Sequence, residues 1–103
     1  MHIVILITAA NKNEARRIAA ALVERKLVAC VNMIDRVSSL FWWKGKIDKA
    51  VEVLMAVKST RVKLPRIITL VKSMHSYAVP EIIALPVVGG SSDYLDWIDE
   101  SIR

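Results

Sequence analysis

The feature that most limits what this chain can fold into is a set of extended segments that are apolar on both faces. Side chains alternate across a strand, so the segment ending near Lys58 carries Val51, Val53, Met55 and Val57 on one face and Ala50, Leu54 and Ala56 on the other. The first segment, Ile3 to Thr8, repeats the pattern with Ile3, Ile5 and Ile7 opposite Val4 and Leu6. A sheet of such strands needs cover on both sides. At about 25 cal/mol per Å² of apolar area, leaving one side wet costs several kcal/mol, comparable to the net stability of a whole domain.

Composition sharpens the problem. A chain of 103 residues makes one domain, here 1–103, which by size scaling buries somewhat above about 60% of the surface its unfolded form exposes. Hydrophobic residues make up 54% of it and its mean hydropathy is +0.40, more than one small core absorbs. No apolar run approaches the roughly 20 residues of a membrane span. Met1-His2 leads straight into Ile3 without a secretion-signal pattern, and the single cysteine, Cys30, has no disulfide partner in the chain and fits no paired zinc spacing. A soluble, cytoplasmic protein is expected. The net charge of +5 raises nucleic acid as a partner, but Arg16, Arg17, Arg25, Lys26, Arg61, Lys63, Arg66 and Lys72 fall on or beside two helical segments as solvated faces would. No aromatic residue interleaves them to stack on bases, so nucleic-acid binding is not expected.

Along the chain, strand Ile3–Thr8 is followed by Asn11, a helix cap, with Glu14 placed to reach back to it. Ala15, Ile18, Ala19, Leu22 and Val23 then mark one helical face. A strand from Leu27 runs to Trp43 with a bend near Asp35-Arg36, and Lys44-Gly45 turns it into a second strand ending near Lys58. A helix follows over Arg61 to Met74, with Leu64, Ile67, Ile68 and Val71 on one face. Thr60 is a possible cap, but Pro65 would then fall past the first turn, which moves the expected helical start toward Lys63. A strand over Val79–Val88, its ladder confined between Pro80 and Pro86, precedes Gly89-Gly90 and a terminal helix capped by Ser91 or Ser92 that carries Tyr94, Leu95, Trp97, Ile98 and Ile102. The order β-α-β-β-α-β with an added helix predicts an α+β, ferredoxin-like sandwich with a long β2-β3 hairpin and a C-terminal helix. Two helices cover one side of such a sheet, so the other is expected to meet further copies of the chain, or to be covered by the terminal helix folding back in a monomer.

The polar residues that stand out are few. His75 is a metal ligand or acid-base group by type and a partner for helix-end carbonyls by position. Glu81, held in direction by Pro80, can accept from Tyr77, bind a cation or pair with a lysine. Glu52 and Lys58 share an otherwise apolar strand face roughly 20 Å apart, so each is expected to find its counter-charge elsewhere, across a subunit boundary. Cys30 is a soft donor for copper or zinc or simple packing. Trp42 and Trp43 point to opposite faces, so at least one anchors an interface. There is no glycine-rich phosphate loop, His-Glu-x-x-His helix, G-x-S-x-G elbow or Cys-His pairing. Dedicated catalysis is not expected, and His75 with Glu81 as acid and base is the one enzymatic reading.

Three ordered stretches, Leu27 to Asn32 (LVACVN), Ser39 to Ile47 (SLFWWKGKI) and His75 to Val87 (HSYAVPEIIALPV), make the chain resemble the CutA family, small proteins associated with divalent-cation tolerance. Cys30, Trp43, Lys58, His75, Tyr77, Pro80, Glu81 and Trp97 match the family's pattern. The resemblance implies a homotrimer with sheets facing inward and hairpins pairing between neighbours, an interface including Trp42, Trp43, Val51, Leu54 and Trp97, and binding of Cu(II) or another divalent cation by His75, Glu81 and Cys30. Ser76, Ala50, Ser59 and Phe41 stand where Pro, Asp, Thr and Tyr are usual, and the missing Asp weakens a metal site drawn from the hairpin. The competing expectation is a signalling or small-molecule-binding trimer similar to the nitrogen-regulatory signal proteins, with Lys58, His75, Tyr77, Glu81, Trp43 and Glu52 around clefts between subunits.

Overall fold

A computed structural model describes residues 1–103. Strand β1 (His2–Ala9) leads into helix α1 (Lys12–Glu24), strands β2 (Cys30–Trp43) and β3 (Lys46–Thr60), helix α2 (Leu64–Met74), strand β4 (Ile82–Pro86) and helix α3 (Ser92–Ser101). The sheet runs β2-β3-β1-β4, every neighbouring pair antiparallel. This is the expected α+β plan. No helix is long and apolar enough to cross a membrane.

Alternation decides which residues enter the core. Ile3, Ile5, Ile7 and Ala9 of β1 and Val53, Met55 and Val57 of β3 pack under Ala15, Ile18, Ala19 and Leu22 of α1 and Ile67, Leu70 and Val71 of α2. Val23, expected in the α1 stripe, is exposed because the chain leaves the helix at Arg25, with Lys26 at φ 55. Ser59 is fully buried and its hydroxyl donates to the Leu27 carbonyl at 2.5 Å, which pins the α1–β2 connection to β3.

Pro65 explains the start of α2. Residues Arg61–Lys63 form a single 3₁₀ turn, Thr60 makes no side-chain cap, and α2 begins at Leu64 with Pro65 in its first turn. There the missing N–H is one that would have had no intrahelical partner. The last strand is shorter than expected, Ile82–Pro86, and β2 starts at Cys30 rather than Leu27.

The terminal helix does fold back. Tyr94 of α3 meets Cys30, and His2 and Asp99 join β1 to α3 through Nε2 and Oδ1 at 2.9 Å. With α3 against β3, Val4, Leu6, Leu54 and Ala56 on the second face are half-buried. The wholly uncovered sheet face expected from two helices alone is therefore partly covered within one chain. What stays bare is the rest of that face and the hairpin: Ile34, Ile83 and Leu85 remain exposed.

The hairpin forms an arm on a molecule 44 × 25 × 23 Å across. Its loop, Lys44-Gly45, has positive φ at both residues, 51 and 78, as a two-residue turn matched to strand twist requires. The pairing of Trp42 with Ile47, Leu40 with Lys49 and Ser38 with Val51 puts Leu40, Trp42, Ile47 and Val51 on one side of the arm. They are 75%, 73%, 62% and 66% exposed. Only Val51, at the base of the arm, lies beside a helix, where it shares a cleft with Lys12 and Arg16 of α1.

Candidate functional site

The sequence motif at His75 closes over the start of α1, and its chemistry follows from four partners. Asn11, in extended backbone, accepts from the Glu14 N–H at 2.9 Å. Glu14 does not reach back to Asn11 as expected but one residue further, accepting from the Ala10 N–H at 3.0 Å. Its second oxygen accepts from the Ser76 N–H at 2.9 Å. A nearly fully buried carboxylate thus ties the helix start to the loop that leaves α2.

His75 is fixed by the same arrangement. Its ring is fully buried, with Nε2 2.7 Å from the Thr8 carbonyl and Nδ1 3.0 Å from the Tyr77 N–H. A carbonyl only accepts and an N–H only donates, so the imidazole is neutral with its proton on Nε2. The carbonyl it serves belongs to β1, not to the end of its own helix as its position suggests. Glu14 Oε1 lies 3.6 Å from Nδ1. Burial pushes the Glu14 carboxyl up, but the hydrogen bonds from Ala10 and Ser76 more than offset this, and it titrates below the ordinary 4.5.

Tyr77 stacks obliquely on His75, ring centres 4.8 Å apart, and its hydroxyl donates to Glu52 Oε2 at 2.8 Å. Burial, and then the Glu52 carboxylate, push the phenol up to about 12. This corrects one expectation: Glu52, not Glu81, accepts from Tyr77, and Glu52 gains a neutral donor within its own chain. Glu81 is exposed. Replacing Tyr77 by Phe should leave the buried Glu52 oxygen without its donor and destabilise the fold by about 2 kcal/mol. A lowered urea midpoint at unchanged slope is the expected readout, and an unchanged midpoint would show that water replaces the hydroxyl.

A second polar group lies further along β3, at Lys58. The register sets Cys30 opposite Lys58 and Asn32 opposite Ala56. Lys58 Nζ donates to Asn32 Oδ1, Cys30 Sγ approaches the same oxygen at 3.9 Å, and Tyr94 reaches Cys30. Burial, and then Cys30, raise the Tyr94 phenol. Within one chain Lys58 therefore finds a neutral amide.

The expected metal set is not assembled by one chain. His75 has both nitrogens engaged, Cys30 sits in the Lys58 group, Glu81 is exposed, and no group of three or more His, Cys, Asp or Glu side chains converges. Of the residues expected around a ligand cleft, Glu52 lines a cleft of about 450 Å³ between the start of α1 and the base of the arm. Trp43 and Trp97 are 43% exposed each and Leu54 is half-buried. Glu14, Thr8, Asn32 and Ser76 are the participants that sequence reasoning missed. Glu14 was visible as a cap, but nothing local shows that a loop 62 residues later lands on it.

Fold and site define a small ferredoxin-like protein with an acid–imidazole–phenol lock at a helix-to-strand junction and a projecting apolar arm. The profile of the CutA1 divalent ion tolerance protein family matches residues 3–101, and the chain belongs to that family. Among relatives, the divalent-cation tolerance protein CutA of Archaeoglobus fulgidus is 48% identical, with both chains covered completely, and that of Thermus thermophilus is 44% identical over 98% of each. The solved A. fulgidus structure, described as a periplasmic divalent cation tolerance protein, superposes at a TM-score of 0.97 over 100% of both chains, also at 48% identity. The human protein CutA is 45% identical over 89% of this chain and 51% of its own length.

Proposed function

We propose that the chain acts in divalent-cation tolerance as a cytoplasmic homotrimer that binds Cu(II) or a similar ion at seams between subunits. The observation that carries this reading is the bare stripe of Leu40, Trp42, Ile47 and Val51 on an arm without a helix. A contiguous exposed apolar stripe of this kind marks an interaction surface and is removed by closed, symmetric self-association. The names of the relatives support the cation. One chain gathers no three donors and cation sites take three or more protein or solvent ligands, so in this reading donors from neighbouring copies or solvent complete the set. Glu81 is exposed, whereas a cation on His75 has to displace the Thr8 or the Tyr77 bond.

Titration of the assembled protein with copper chloride tests the reading. Saturable binding is expected, weakened at least about tenfold by Glu81→Ala or His75→Ala, the scale of one lost charged contact. Absence of binding, or binding indifferent to both substitutions and to Cys30→Ser, would remove the metal reading. Cell fractionation checks the compartment, with the protein expected in the cytoplasmic fraction.

A further inference from the structure

The cleft between the start of α1 and the base of the arm carries charge that the chain itself does not neutralise. Lys12, Arg16, Arg36, Asp35, Glu52 and Val51 line it, in a volume of about 450 Å³, within the range of small-molecule pockets, roughly 300–1,000 Å³. Lys12 is paired with Asp35, Nζ to Oδ2 3.1 Å, and Glu52 is taken by the Tyr77 hydroxyl. Arg16 and Arg36 have no carboxylate within ion-pair distance. They come from different elements: Arg16 from α1, Arg36 from the register break of β2 between Ile34 and Val37, where its φ is 60. Bulges of this kind re-aim side chains.

We infer that this cleft binds a small phosphate monoester that carries hydroxyl groups. Two guanidiniums present planar donor forks suited to phosphate, and three cations against two carboxylates leave the lining with a net +1 that favours an anion such as a monoester, about −1.5 to −2 near neutral pH. Asp35 is engaged by Lys12 and by the Arg36 N–H, and one Glu52 oxygen accepts from Tyr77, which leaves the other Glu52 oxygen for a ligand hydroxyl while both carboxylates repel a second anionic group. The rest of the ligand is therefore hydroxylated and uncharged, which argues against polyanions. This binding does not depend on the metal reading and is read out separately from it.

The test uses the full chain, titrated with glycerol 3-phosphate, inorganic phosphate and glycerol while amide resonances and heat are followed. Glycerol 3-phosphate is expected to bind more tightly than inorganic phosphate, glycerol not to bind, and affinity to fall as salt is added. Shifts should centre on Lys12, Arg16 and Arg36. Arg16→Gln and Arg36→Gln should each weaken binding at least about tenfold. Both side chains are exposed, so the variants should fold, and a far-ultraviolet spectrum matching the unsubstituted chain checks it. No binding at millimolar glycerol 3-phosphate, as when a neighbouring copy fills the cleft, would overturn the inference. So would equal affinity in both variants or resonance changes confined elsewhere. Each of those results leaves the copper titration unaffected.

Discussion

Substituting Trp42 and Ile83 by Lys together should convert an associating protein into single chains. Trp42 is 73% and Ile83 52% exposed, so within one chain either change touches little packing and is expected to cost less than about 0.5 kcal/mol. In an assembly the same positions become desolvated, where removing a tryptophan anchor typically costs 2 kcal/mol or more, about thirtyfold in a binding constant. Burying a lysine there without a partner adds to that loss. Sedimentation equilibrium at micromolar concentration is expected to show a multiple of the 11.5 kDa chain for the unsubstituted protein and the single-chain mass for the variant. A well-folded single-chain particle before any substitution would show that α3 and the arm already satisfy the sheet.

The second large effect belongs to Glu14. Glu14→Gln keeps the shape but replaces one acceptor oxygen by an NH₂ group, so either the Ala10 or the Ser76 N–H then faces a donor. Leaving such a buried group unsatisfied costs about 1–3 kcal/mol. The pH dependence gives a separate readout. The folded carboxyl titrates below its ordinary value of 4.5, so the unfolded chain takes up this proton first as acid is added. The stabilisation is complete above about 4.5 and is lost as pH falls through the lower folded value. As pH falls below about 4.5, stability of the unsubstituted protein should therefore drop more steeply than that of Glu14→Gln. Parallel curves would show that Glu14 contributes no charge-dependent stability.

The lock also shows where local pattern stops being informative. Asn11 and Glu14 announce a helix start because the cap is made within four residues. Pro65 announces a delayed α2 because its missing donor is tolerated only in the first turn. His75 and Tyr77 are visible as residue types, but their partners, Thr8, Glu14 and Glu52, come from β1, α1 and β3. Such pairings depend on how strands align, so Glu81 was the natural acceptor for Tyr77 by proximity in sequence and Glu52 is the actual one in space. Lys58 repeats the lesson, since its Asn32 partner is set by β2–β3 register.

Element order, the split of the strands into two apolar faces, the positive-φ turn at Lys44-Gly45 and the surplus of apolar surface were all legible in the chain before its fold was known. All of these follow from side-chain alternation, helical periodicity and local backbone preference. Only the tertiary structure decided that α3 covers part of the second sheet face, that the surplus is concentrated along one side of the arm, and that His75 is a doubly bonded neutral imidazole. Those outcomes depend on long-range packing and strand register, which bring together groups that no local pattern relates.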